Sequence, residues 1–82
     1  NKAYLLFYEG NYLESEIQVS RSLKLIKSSN NKQVIFTCYN LLASNFEKME
    51  EYDEALKYYL LAKQILPDLK KIIRILIQEI IT

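Results

Sequence analysis

Eighty-two residues, 50% hydrophobic and 26% charged with a formal net charge of +1, allow one small core and no more. One Cys, one Gly, one Pro and no His remove disulfides, imidazole and thiolate zinc sites, histidine-based catalysis and glycine-rich phosphate loops. The near-neutral balance supplies no field to draw nucleic acid or an anionic membrane, so the composition predicts a non-enzyme without a cofactor.

Gly and Pro are nearly absent and the apolar residues recur at steps of three and four, so helix is the one period the chain supports. The first predicted helix, near 2–9, carries Tyr4, Leu5, Leu6, Phe7 and Tyr8 and ends at Gly10-Asn11. A second runs near 12–27, where Asn11 with Glu14 three residues on makes a capping pair. Ser28-Ser29-Asn30-Asn31 separates it from a third near 32–48, for which Asn30 and Gln33 are the corresponding pair. After Glu50-Glu51 a fourth is expected near 52–65. Pro67 then forbids continuation, and Asp68 caps a fifth helix near 69–81.

The stretch Ile72 to Ile81 is the longest apolar one, but it contains Arg74, Gln78 and Glu79 and falls well short of the roughly 20 apolar residues of a membrane span. No secretory pattern opens the chain, so a reducing, cytoplasmic setting is expected. Its start at Asn1-Lys2, without Met, reads as a piece of something longer.

Shifting the chain against itself by 40 residues pairs Ala3 with Ala43, Leu6 with Phe46, Tyr12 with Tyr52, Glu14 with Glu54 and Leu25 with Ile65. Small positions also coincide, Ser15 with Ala55 and Ser22 with Ala62. Small meets small and large meets large over more than one helix, which marks a helix–turn–helix repeat.

Tyr39, Leu42-Ala43, Phe46, Tyr52, Ala55, Tyr59, Ala62 and Pro67 stand at the offsets of one repeat pattern, and on these residues the segment resembles the tetratricopeptide repeat. The resemblance is close over 36–69 and weak over 1–27, where Ser15 and Ser22 replace alanines. It implies an all-α fold of antiparallel helix pairs, a fragment of a right-handed superhelix. Residues 1–27 would be a degenerate repeat, 32–67 a second one, and 68–82 a capping helix or the first helix of a further repeat. The 40-residue spacing exceeds the family's usual 34 and is similar to long repeats of bacterial regulatory proteins. The resemblance implies a protein- or peptide-binding scaffold. Its alternative is the sensor and dimerisation region of a bacterial transcription regulator or signalling protein.

In such arrays the first helix of each pair lines a concave groove, which here designates Thr37, Asn40, Ser44, Glu47 and Lys48. Their spacing makes a polar stripe apart from Tyr39, Leu42 and Phe46. Any solvated helix face shows such a stripe, so both readings stay open. Asn40 is the best single candidate, because its amide can pair with both N–H and C=O of a peptide. Tyr4 and Tyr8 extend the same surface on the first helix, where either a preceding helix covers them or they form an apolar docking patch. The acidic residues between Glu47 and Glu54 suit a helix start, and Lys63, Lys70, Lys71 and Arg74 make a solvated basic flank. Cys38 is expected to be a buried or half-buried small residue. Eight apolar residues among 69–81 spread over roughly 240° of helix, more than one neighbour covers. Ile73, Ile77, Ile80 and Ile81 are therefore the candidates for self-association into a homo-oligomer, most simply a dimer.

Overall fold

A computed structural model describes residues 2–81. Four helices follow one another: α1 (Lys2–Tyr8), α2 (Tyr12–Ile26), α3 (Lys32–Lys48) and α4 (Tyr52–Ile81). Each packs on the next, α1 on α2, α2 on α3 and α3 on α4, as short turns between antiparallel helices require. The core that joins them is Val19 and Leu23 from α2, Ile35, Tyr39, Leu41 and Leu42 from α3, and the small residues Ala3 and Ala62 from α1 and α4. Phe46 stacks on Tyr58 at 5.7 Å between ring centroids, and Tyr39 lies 6.0 Å from the same ring, so aromatic bulk fills the space beside the alanines.

The 40-residue repeat is visible in the turns, bond for bond. At the end of α1, Gly10 N–H donates to the Phe7 carbonyl and Asn11 N–H to that of Leu6; at the end of α3, Glu50 N–H donates to Glu47 and Glu51 N–H to Phe46. Both are the paired closing bonds of a helix that ends on one left-handed residue. Gly10 takes that conformation at φ 85°, and Glu50 takes it at φ 63°. A side chain in the left-handed region costs roughly 1–2 kcal/mol, and glycine there costs nothing sterically. Glu50→Gly is therefore expected to stabilise the chain by about 1 kcal/mol, read as a rise of several degrees in thermal midpoint. A fall in midpoint would mean that the Glu50 side chain contributes something the turn geometry does not reveal.

Three expectations about helix ends need correction. Asn11 makes no side-chain cap bond, and the cap of α3 is Asn31 rather than Asn30: its side chain accepts from Val34 N–H at 3.3 Å. The break at Pro67 does not occur. α4 continues through it for 30 residues, so four helices replace the expected five. Proline removes one N–H and leaves the carbonyl of Lys63 without its helical partner. Lys63 and Pro67 are both exposed, so water can satisfy that carbonyl. Beyond the proline, Leu69 is buried and Asp68 pairs with Lys32 at 3.4 Å. Asp68 thus ties α4 to the start of α3 instead of capping a helix of its own. At 1.5 Å per residue α4 is about 45 Å long, which sets the 46 Å long axis of a body 24 × 23 Å across.

Candidate functional site

α1, α2 and α3 enclose a hollow of about 250 Å³. Its floor is apolar, made by Ala3, Val19 and Leu41, all buried, while Tyr4, Gln33, Val34 and Thr37 form the rim and Cys38 one wall. Thr37 donates its hydroxyl hydrogen to the Gln33 carbonyl one turn back at 3.0 Å, which leaves the hydroxyl oxygen able to accept a further hydrogen bond. Tyr4 stacks on Tyr8 at 6.5 Å, and Phe7 meets Tyr8 edge-on at 5.6 Å. Tyr8 is 78% exposed. The aromatic ladder therefore leads from open solvent to the hollow.

A buried polar chain holds the walls of this hollow in place. Ser15 of α2 donates its hydroxyl to the Ala3 carbonyl of α1 at 2.8 Å and accepts from Asn45 Nδ2 of α3 at 2.9 Å. The same amide nitrogen donates to the Leu41 carbonyl at 3.1 Å. Ser15 and Asn45 are completely buried, and Asn45 Oδ1 has no partner among the described residues. Two side chains thus lock three helices into one arrangement. Burial of the Cys38 thiol pushes its pKa above the ordinary value, which keeps it protonated and a poor nucleophile near neutral pH.

The residues expected from the sequence are distributed over more than one surface. Tyr4 and Thr37 come together at the hollow. Asn40 is half-buried and lies outside its lining, Ser44 turns toward α4 with its hydroxyl 3.5 Å from that of Tyr59, and Glu47 and Lys48 are exposed. Ile73, Ile77, Ile80 and Ile81 are 54%, 50%, 84% and 74% exposed. Val34, Cys38 and Leu41 were not among the candidates. Their spacing of four and three was the available signal, because it marks a second apolar stripe on α3 besides Tyr39, Leu42 and Phe46.

The family model of the tetratricopeptide repeat matches residues 1–68. The chain belongs to the tetratricopeptide repeat family. No curated protein and no solved structure matches it significantly. Among the described residues no helix is long and apolar enough to cross a membrane.

Proposed function

We propose that this chain is a non-catalytic, cytoplasmic scaffold module that binds a protein or peptide partner, and that the hollow between α1 and α3 receives one apolar side chain of that partner. The family's character as an interaction scaffold supports the general reading. The observation that carries the particular one is the apolar floor beneath a rim of aromatic, hydroxyl and amide groups. A volume of about 250 Å³ falls below the roughly 300–1,000 Å³ of small-molecule and cofactor sites, and suits an anchoring side chain whose flanking peptide bonds meet Thr37 and Gln33. Asn40, Ser44, Glu47 and Lys48 would then touch only the partner's flanks.

In this reading residues 1–27 and 32–67 are the two repeats, and 68–82, continuous in α4 with the second of them, is a cap or the opening of a further unit. The end of the family match at residue 68 supports that division. Peptides selected on the immobilised chain from a displayed random library test the site. They are expected to slow alkylation of Cys38, which borders the hollow, and to lose at least tenfold in affinity to Thr37→Arg, equivalent to about 1.4 kcal/mol. Peptides that bind Thr37→Arg as well as the parent and leave Cys38 labelling unchanged would place the binding surface elsewhere.

A further inference from the structure

We propose that two copies of this chain pair antiparallel through the last part of α4, each helix end entering the groove between α3 and α4 of the other. The groove borders the hollow at α1, sharing Gln33 and Thr37 with it, but the pairing requires nothing to occupy that hollow. Leu66, Leu69, Ile73, Leu76 and Ile80 follow one another at steps of three and four, the spacing of a helix seam. Along the first part of the seam α3 covers it, and Leu69 is only 9% exposed. Lys32 at the start of α3 pairs with Asp68, so α3 begins at that level. From there on the seam is open, with Ile73 at 54%, Leu76 at 57% and Ile80 at 84% exposure. Where α3 begins, Phe36 and Thr37 face Leu69, Ile73 and Leu76 across a groove of about 610 Å³.

Two quantities favour a second copy as the occupant. A compact protein of 9.7 kDa is expected to expose about 5,100 Å², and this chain exposes 6158 Å². The surplus of about 1,000 Å² is close to the roughly 800 Å² that each partner buries in a standard stable interface. Charge then selects the direction. Lys70 and Lys71 lie at one end of the open segment and Glu79 toward the other, with Arg74 near the middle. Antiparallel pairing that sets Ile73 against Leu76 of the partner subunit carries Ile80 to the mouth of the partner's groove at the level of Leu69 of the partner subunit, and brings Glu79 level with the partner's Lys70. Parallel pairing would set the basic ends side by side within a Debye length of about 8 Å.

Sedimentation velocity of the 82-residue chain at tens of micromolar is expected to show a dimer. Ile80→Glu removes an apolar contact twice per dimer and should raise the dissociation constant about a hundredfold or more. Its position in the last described turn, already open to water, leaves the helical fold of the monomer intact by circular dichroism. In a Cys38→Ser background, equal amounts of Lys70→Cys and Glu79→Cys chains should oxidise mainly to the mixed disulfide. A parent chain that sediments as a monomer would overturn the proposal and leave the face to another protein segment. Preferred formation of either symmetric disulfide, or an Ile80→Glu dimer as tight as the parent, would overturn it equally.

Discussion

Ser15→Ala is expected to destabilise the chain by about 1–2 kcal/mol, although helix propensity and the repeat pattern both favour alanine at that position. Alanine gains a few tenths of a kcal/mol in helix propensity. Against that stand the loss of the bond from Ser15 to the Ala3 carbonyl and the orphaning of one Asn45 N–H in a site with no solvent access. A buried donor left unpaired costs about 1–3 kcal/mol, so the network outweighs propensity. At about 4–8 °C for each kcal/mol in a domain of this size, the thermal midpoint should fall by roughly 5–15 °C. Adding Asn45→Leu to Ser15→Ala removes the stranded amide and should recover much of the loss, giving a coupling energy of about 0.5–3 kcal/mol in the double-mutant cycle. A single variant as stable as the parent, or strictly additive effects, would show that Ser15 and Asn45 do not act together.

Ala43→Leu should destabilise by a comparable amount for a different reason. Ala43 is wholly inaccessible, and its neighbour in sequence, Leu42, is 1% exposed. On α4, Ala55 and Ala62 are 4% and 2% exposed. Small residues on both helices of the pair let the backbones approach, and three further carbon atoms at any of them must push the helices apart or force side chains off their rotamers, at about 1–3 kcal/mol. The same enlargement should hurt at Ala55. Leu60→Ala, at a half-exposed position, serves as the comparison and should cost much less. A midpoint unchanged by Ala43→Leu in a thermal melt would remove the close contact of α3 and α4 that the repeat demands.

The fold was legible because its determinants are local or periodic. Gly10 announced the end of α1, and the 40-residue shift that pairs Leu6 with Phe46 also pairs the carbonyls that close the two turns. The cap of α3 moved by one residue, since Asn30 and Asn31 are adjacent and each has a polar chain behind it; only the geometry that brings Asn31 to Val34 N–H decides between them. Pro67 misled for a physical reason. The rule that proline ends a helix weighs one lost bond and one clash, whereas burial of Leu69 and the Lys32–Asp68 pair hold the next turn in place.

The site was less legible. Ser15 and Asn45 are 30 positions apart, and no spacing rule connects two ordinary polar residues over that distance. Thr37 emerged from a polar stripe and Tyr4 from an aromatic excess. Val34 and Leu41 escaped notice because the apolar stripe read on α3 was Tyr39, Leu42 and Phe46, and these two lie off it; Leu41 is buried in the core and Val34 is 40% exposed.

Pro67 also divides α4 into parts with separate lives. Before it, Ala55 and Ala62 anchor the helix against α3; after it, Leu69 is the last buried residue, and every described residue from Lys70 onward is exposed. Opening the distal turns of an unpaired chain therefore uncovers almost nothing, whereas opening the proximal ones unpacks the core. Amide hydrogens beyond residue 70 should exchange with solvent through local fraying, and those of α3 only through global unfolding. The missing amide of Pro67 interrupts the ladder between the two regimes. One continuous helix in space is thus expected to exchange as two cooperative units in time, with only the inner unit sharing the fate of the fold.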